Sequence, residues 1–168
     1  MKGLITVLAV LVVVGLAFFL YRSPSAPPEM TEAEIAQIRA EVDSVTSEWW
    51  AVWSAGGDAD RFFSFLADDA ETVWISDANP LFGRADIEEA FRPVLENIQR
   101  QDNTPVEWRT IVIAPEVAYT VRINDAVQTF VTGDSGPVIR YAETLVWVKR
   151  DGEWRVLIGH GSTPNEPM

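Results

Sequence analysis

His160 is the one histidine of the chain and therefore the first residue to consider for proton transfer near neutral pH. Strand alternation over residues 154–162 predicts that one face carries Trp154, Val156, Ile158, His160 and Ser162. If that face lines a cavity, an imidazole and a hydroxyl project into an aromatic chamber. The alternative is a histidine that hydrogen-bonds neighbouring strands or loops and fixes the end of the chain.

Two other residues have side chains suited to acid–base chemistry. Tyr119 lies in an alternating apolar strand, and it is either an oxyanion donor or a core residue with its hydroxyl satisfied at the rim. Glu143 is either a buried base of raised pKa or the ion-pair partner of an arginine such as Arg122 or Arg140. The predicted catalytic candidates are therefore these two residues and His160.

Aromatic side chains are abundant for a chain of 168 residues, with seven Trp and eight Phe. The predicted walls of a binding cavity are Trp53, Trp74, Trp108 and Trp147, joined by Ser162. Each tryptophan has ordinary core packing as its alternative. Because ligand cavities are mostly apolar with few polar groups, the predicted ligand is a small, largely apolar or aromatic molecule.

Several classes of site are excluded or disfavoured by composition. One His and no Cys disfavour a transition-metal site, and no EF-hand, Walker or Rossmann pattern is present, so neither a metal nor a cofactor is predicted. The formal net charge of -12 would repel a phosphate backbone, so no nucleic-acid partner is expected.

Three helices are predicted ahead of most of the strands. Thr31–Glu34 forms a capping box at the start of an amphipathic helix of five or six turns, which ends at Gly56-Gly57. Asp58 caps a short second helix. A third helix is predicted over about Asp86–Ile98, and Pro93 is expected to kink or divide it.

The strands follow a different, alternating pattern rich in β-branched residues. A brief strand is predicted over Thr72–Ile75, followed by a turn at Asp77–Pro80. The longer strands are predicted near Val106–Ile113, Val117–Val131, Val138–Arg150 and Trp154–Ser162. The fold class is therefore α+β, with a curved antiparallel sheet that wraps the first helix and leaves an opening at one end.

The N-terminal segment, residues 1–22, has the composition of a membrane-spanning or signal helix. Gly3 to Tyr21 is uncharged and would span about 28 Å as a helix, close to the hydrocarbon core of a bilayer. It is either an uncleaved anchor or a cleaved signal peptide. Both alternatives export the rest of the chain, so a domain facing the periplasm or cell exterior is predicted beyond a Pro/Ser-rich linker, residues 23–30.

The order and spacing of several motifs resemble the SnoaL-like family of the nuclear transport factor 2 (NTF2)-like superfamily. The resemblance covers residues 31–164 and leaves a short tail, residues 165–168. It rests on five motifs in the expected order: Trp49, Trp50 and Trp53 in the first helix; Gly83-Arg84; Glu143-Thr144; the Asp151-Gly152 turn with Trp154; and His160–Pro164. It implies a cone-shaped fold with three N-terminal helices on the sheet, a cavity between them and frequent homodimerisation through the outer sheet face.

Two functions remain open from the sequence, because this fold hosts many activities. The first is binding of a small apolar molecule in the cone, with cofactor-free acid–base chemistry of the isomerase, cyclase or dehydratase type. The second is a non-catalytic dimerisation or protein-interaction module in an envelope assembly.

Overall fold

The computed structural model describes residues 29–76 and 79–163 of the chain. The helices are α1 (Glu32–Ala55), α2 (Ala59–Ser64) and α3 (Gly83–Asn97), and the strands are β1 (Val73–Ser76), β2 (Asn79–Phe82), β3 (Ile98–Ala114), β4 (Val117–Phe130), β5 (Ile139–Arg150) and β6 (Glu153–Ser162). This content confirms the predicted α+β class. The predicted anchor or signal segment, most of the linker and the C-terminal tail lie outside the described residues.

No helix within the described ranges is both long enough and apolar enough to cross a membrane.

Helix α1 begins at the predicted capping box. The Thr31 side chain accepts a hydrogen bond from the Glu34 N–H, and the Glu34 carboxylate accepts one from the Thr31 N–H. Toward its C-terminal half the helix buries Val42, Thr46, Trp49, Trp50 and Val52 against the sheet. The helix therefore delivers two adjacent indoles to the interior.

Helix α3 runs without a break from Gly83 to Asn97, although Pro93 lies inside it. Of the two predicted alternatives, division of the helix is wrong, and a kink stays a prediction. Proline removes one helical N–H, and the carbonyl that loses it belongs to the exposed Glu89, where water can replace the lost bond. Ile87 and Leu95 are buried, so the helix still packs along one face.

The six strands form one sheet in the order β2-β1-β6-β5-β4-β3. All neighbouring pairs are antiparallel except β1 and β6, which are parallel. The prediction of a purely antiparallel sheet is therefore wrong at this pair. β1 and β6 are far apart in sequence, so no hairpin forces them to run in opposite directions. Strand β2 was predicted as part of a turn.

The two faces of the sheet differ in burial. The inner face, which packs on the helices, carries Ala118, Thr120, Arg122, Asn124 and Ala126 of β4 and Glu143, Leu145 and Trp147 of β5, and all eight are buried. The outer face carries Tyr119, Val121 and Ile123 of β4 and Thr144 and Val146 of β5, and all five are half-buried. Strict alternation along both strands generates this division.

Strand β6 changes face at a β-bulge. Trp147 pairs with Val156 and the preceding Val146 pairs with Ile158, so Leu157 is an extra residue on β6. Beyond the bulge, Gly159 and Gly161 lie on the inner face. A Cβ atom on Gly159 would lie 2.1 Å from the Trp74 ring, so only glycine allows this close packing.

The core lies between the helices and the inner face and is dominated by aromatic rings. Trp49 is fully buried at its centre, with its ring centroid 4.2 Å from that of Phe62 and 5.9 Å from that of Trp74. The Trp147 ring meets Trp49 edge-on at 6.4 Å. These contacts fix the direction of α1 across the sheet, and with it the neighbouring indole of Trp50.

Candidate ligand cavity

Glu143 of β5 is a carboxyl group in the interior of the domain. Its cross-strand neighbours are Arg122 on β4 and Gly161 on β6, and its exposed fraction is 3%. The Trp49 indole Nε1 donates a hydrogen bond of 3.3 Å to Glu143 Oε1. Burial raises the pKa of Glu143 to about 8, against the opposing effects of the Trp49 hydrogen bond, the Arg122 charge and the Trp50 indole. The group is therefore mostly protonated at neutral pH.

A cavity of about 180 Å³ opens beside this carboxyl group. Its lining residues are Trp50, Trp53, Ser76, Phe91, Val94, Gln101, Ala126, Gln128, Ile139, Tyr141, Glu143 and Thr163. Val94 is 47% exposed and Thr163 is exposed, whereas Trp50 and Glu143 are buried. The cavity therefore opens to solvent near Val94 and Thr163 and ends in the interior near Trp50 and Glu143.

One wall of the cavity is aromatic. Trp50 and Trp53 are three residues apart on α1 and so lie on one side of it. The Trp50 ring meets Tyr141 of β5 edge-on at 6.3 Å. Tyr141 is held over Gly161, where a Cβ atom would lie 2.2 Å from the tyrosine hydroxyl oxygen. The glycine thereby makes room for the ring, and Phe91 of α3 completes the wall.

The two indoles of this wall present donors that have no partner within the described part of the chain. Trp50 Nε1 and Trp53 Nε1 are both buried without a hydrogen bond. The Trp50 indole lies near enough to Glu143 to lower the pKa of that carboxyl, although Trp50 Nε1 forms no hydrogen bond with it. Buried donors are nearly always paired, so two unpaired indole N–H groups on lining residues of one cavity are unusual.

Gln101 and Gln128 of the lining belong to a hydrogen-bond network of amides that also includes Asn103 and Asn124 outside it. Gln128 Nε2 donates to Gln101 Oε1 at 2.9 Å, and Gln101 Nε2 donates to Asn103 Oδ1 at 2.9 Å. Asn124 Nδ2 donates to the same Asn103 oxygen at 3.3 Å. Because β3 and β4 hold these groups in register, this network is rigid and polar.

Arg122 lies behind the aromatic wall. Its guanidinium carbon is 4.0 Å from the centroid of Trp50 and 5.4 Å from that of Trp108. The side chain is 6% exposed, and burial lowers its pKa, while the Glu143 charge acts in the opposite direction. Its Nε has no hydrogen-bond partner among the residues described. Arg140 is engaged elsewhere, with Asp125 at 2.8 and 2.9 Å.

His160, Tyr119 and Ser162 lie away from the cavity. The Leu157 bulge turns His160 and Ser162 to the outer face, because Gly159 and Gly161 take the inner positions. The prediction that Ile158, His160 and Ser162 share a face with Trp154 and Val156 is therefore wrong.

Tyr119 is also on the outer face, between the inner residues Ala118 and Thr120. Its catalytic role and that of His160 stay predictions, and neither residue lines the cavity.

The four predicted tryptophan walls have different positions. Trp53 lines the cavity, and its role in binding stays a prediction. Trp74 and Trp147 are core residues with exposed fractions of 1% and 0%, and Trp147 Nε1 donates to Thr120 Oγ1 at 3.2 Å. Trp108 packs over Arg122 and donates to Thr110 Oγ1 at 3.2 Å, so it supports the wall from behind.

Sequence reasoning missed several lining residues, in particular Trp50, Tyr141, Gln101 and Gln128. The spacing of Trp50 and Trp53 and the shared strand face of Tyr141 and Glu143 were usable signals for the first two. The glutamines carried no such signal, because their position depends on the pairing of β3 with β4.

A larger groove, of about 900 Å³, lies on the surface between α1, α2 and the β5–β6 hairpin. Its charges are already paired. Glu41 accepts from Lys149 Nζ at 2.8 Å and from Trp154 Nε1 at 3.0 Å, and these bonds with one from Gln37 lower its pKa to about 2. Size alone therefore does not make this groove the better candidate. The orphan donors and the buried acid are in the smaller cavity.

The described residues contain no group of three or more His, Cys, Asp or Glu side chains arranged to hold a metal ion.

An α+β domain with helices packed on a curved sheet and a cavity between the two layers is the architecture of the NTF2-like superfamily. The SnoaL-like domain family matches residues 42–166, so the chain belongs to that family. This confirms the resemblance drawn from the motifs. A comparison with curated proteins found no match.

Solved structures show the same fold at low sequence identity. A proposed dehydratase of the NTF2-like family from Streptomyces avermitilis superposes with a TM-score of 0.68 and 12% identity, covering 78% of this chain and 99% of that one. A ketosteroid isomerase-like protein from Erwinia carotovora atroseptica gives 0.62 and 15%, covering 77% and 97%. The association domain of C. elegans CaMKII gives 0.61 and 18%, covering 79% and 100%. The relatives thus include both enzyme-like proteins and association domains.

Proposed function

We propose that this chain binds a small, largely apolar molecule in the cavity and that Glu143 exchanges a proton with it. The observation that supports this is a carboxyl group that is almost fully buried, lines a cavity and has a pKa raised to about 8. A group with a pKa near the working pH both gives and takes a proton efficiently. The reaction class is cofactor-free acid–base chemistry of the isomerase, cyclase or dehydratase type.

The walls of the cavity support the chemical class of the ligand. Trp50, Trp53, Phe91 and Tyr141 offer ring faces and edges on one side, and Ala126 and Ile139 add aliphatic surface. A small apolar body gains free energy by leaving water for such a site. The few polar groups then fix its orientation.

The test is to ask whether a bound molecule depends on the free space in this cavity. Ala126 is buried in the lining, so Ala126→Phe fills the cavity, whereas Ala36 is exposed on α1 and makes Ala36→Phe a matched control. Native mass spectrometry of the full-length protein purified from its host should show a co-purifying molecule that the control retains and Ala126→Phe loses. Equal retention in both variants would contradict the proposal.

Proton exchange is tested separately with Glu143→Gln, which keeps the size of the side chain but removes the exchangeable acid. Incubation of the complex in D₂O should label the bound molecule in the wild-type protein and leave it unlabelled in the variant. Labelling at the same rate in both would remove Glu143 from the chemistry.

We propose a second function for the outer face of the sheet, which is homodimerisation or docking in an assembly. Its half-buried residues include Tyr119, Val121, Ile123 and Val146, an apolar surface next to the exposed Ile158. The similarity to an association domain supports an interaction role for this fold. Such a surface is stable in water when a partner covers it.

Light scattering of the full-length protein tests this second function. Val121→Glu puts a charge on the outer face and should yield monomers, whereas Val131→Glu, on an exposed turn, should leave the mass unchanged. A wild-type monomer, or a Val121→Glu dimer, would argue against it.

We also propose that residues 1–22 hold the domain at a membrane, with the domain in the periplasm or at the cell exterior. Support comes from the uncharged run Gly3–Tyr21 and from Lys2 before it. The full chain should stay in the membrane fraction after carbonate extraction, and a chain that begins at residue 23 should not. Release of the full chain would contradict the retained anchor.

A further inference from the structure

We infer that the molecule bound in the cavity is a small monocarboxylate whose oxygens accept hydrogen bonds from Trp50 and Trp53. This inference rests on the proposed function, namely that the cavity holds a small molecule, and it names the chemical class. The apolar body of the ligand lies toward Phe91 and Val94, at the outer part of the cavity, and the carboxylate lies at the inner end.

The hydrogen-bonding inventory of the site is unbalanced toward donors. Trp50 Nε1 and Trp53 Nε1 are unpaired within the described ranges, and Arg122 Nε behind Trp50 is unpaired too. The indole is a donor only, as is the guanidinium, so none of these atoms can satisfy another. A ligand that brings acceptor oxygens removes the cost of leaving these buried donors without a hydrogen bond.

The amide network does not compete for the same ligand group. Gln101, Gln128 and Asn103 exchange their hydrogen bonds with one another. The unpaired acceptor of this region is Asn124 Oδ1, and Asn124 is not a lining residue of the cavity. Among the described lining residues, the buried donors without a partner are therefore those of the two indoles.

The charge of the site favours an anion over a neutral acceptor. Arg122 is a buried cation, and its nearest buried counter-charge is Glu143 on the neighbouring strand. When Glu143 holds its proton, as its raised pKa requires near neutral pH, the Arg122 charge is left unbalanced. Unbalanced buried charge is costly, so a ligand carboxylate restores neutrality and Glu143 remains a third donor toward it.

The pH dependence follows from the groups that face Glu143. Helix α1 presents only the indoles of Trp49 and Trp50, β4 presents Arg122, and β5 itself presents the phenol of Tyr141, among the residues described. On β6 the inner residue is Gly161, because His160 points to the other face. Ionisation of Glu143 is therefore the event that would expel an anion as the pH rises through about 8.

Benzoate, benzamide and benzyl alcohol are suitable probes, since they share one ring and differ in the polar group. Titration calorimetry on the full-length protein in mild detergent should give benzoate an affinity about tenfold above that of benzamide near pH 6.5, because hydrogen bonds to a charged group are stronger. Benzoate affinity should fall about tenfold by about pH 9, one unit above the Glu143 pKa. Glu143→Gln should bind benzoate without that fall.

Matched tryptophan variants locate the contact. Trp50→Phe removes an orphan donor of the cavity and should weaken benzoate about tenfold, the effect of one charge-assisted hydrogen bond. Trp154→Phe removes a donor that serves Glu41 at the surface groove, so its benzoate affinity should equal that of the wild type. Equal losses in the two variants would show a structural effect and overturn the assignment.

The outcomes distinguish the two proposals. Benzamide or benzyl alcohol binding as tightly as benzoate, with Ala126→Phe abolishing both, would overturn the carboxylate inference and leave the cavity as a site for neutral molecules. If none of the three probes binds, and nothing co-purifies in the cavity, the proposed function fails together with the inference. Benzoate binding that survives Ala126→Phe would place the anion elsewhere and also overturn it.

Discussion

Both faces of the sheet carry ionisable side chains, but the two faces surround those side chains differently. On the inner face, Glu143 is cut off from water and its pKa rises to about 8. On the outer face, His160 and Tyr119 are half-buried beside aliphatic side chains. The environment of Glu143 is therefore the reason we propose a glutamate for proton exchange near neutral pH, although histidine is the usual choice by residue type.

Neighbouring strands explain why the faces diverge. Arg122 and Glu143 are cross-strand partners on the inner side, and Val121 and Thr144 are partners on the outer side. The inner pair is covered by α1, whose Trp49 and Trp50 exclude water. The outer pair has no covering element among the described residues, and this is the side where a partner chain is proposed.

The largest expected contrast is in stability. Trp147→Ala on the inner face should lower the free energy of unfolding by about 3–5 kcal/mol, because the surrounding rings leave a cavity that cannot collapse. His160→Ala on the outer face should cost roughly 0.5 kcal/mol or less, as for most partly exposed positions. Urea denaturation followed by circular dichroism measures both. Similar costs for the two variants would mean that the outer face is as tightly packed as the inner one.

The next contrast is the dependence of stability on pH. The folded pKa of Glu143 lies above the unfolded value of 4.5, so the folded state holds a proton that the unfolded state has lost. The unfolding free energy should therefore decline as the pH rises from about 4.5 to about 8. Glu143→Gln should flatten this decline, and urea titrations of both proteins across that range provide the check. Parallel slopes would show that Glu143 does not carry the effect.

The smallest expected effect concerns the surface groove. Glu41 is about one-third exposed and bonded to Lys149 and Trp154, so Glu41→Gln should cost roughly 0.5–1 kcal/mol near neutral pH. Its pKa is lowered to about 2, which means that this contribution is present above pH 4.5 and is lost as the pH falls toward 2. The wild-type advantage in thermal unfolding should shrink over that acidic range. A constant difference would assign the loss to packing.

Much of the fold could be predicted because local signals and the global structure agree. The Thr31–Glu34 box starts α1 as expected, and the strand alternation through Val117–Phe130 matches the burial of β4. Strand β2 was missed because Asn79 and Pro80 read as turn residues, while β1 supplies their partner strand. Which strands pair in a sheet depends on tertiary structure, and residue types alone predict it poorly.

The site was harder to predict, for one specific physical reason. A single extra residue, Leu157, shifts every later side chain of β6 to the opposite face, and it moves His160 and Ser162 out of the predicted chamber. Gly159 and Gly161 were the sequence signal for this change of face, since they pack against Trp74 and Tyr141 where no Cβ atom fits. Glu143 could be predicted as a candidate from the sequence. Whether it is a base or the ion-pair partner of an arginine depends on how deeply its carboxyl group is buried, which the sequence does not give.

The proposals for the cavity all require that Glu143 keeps its proton at neutral pH beside the indoles of Trp49 and Trp50. Carbon-13 NMR of the full-length protein labelled at glutamate side-chain carboxyls tests this directly, with Glu143→Gln identifying the signal. We expect this carboxyl to titrate with a pKa near 8. A signal that titrates at or below the ordinary value of 4.5 would show an ionised Glu143 paired with Arg122, and it would contradict both the proton exchange and the carboxylate site.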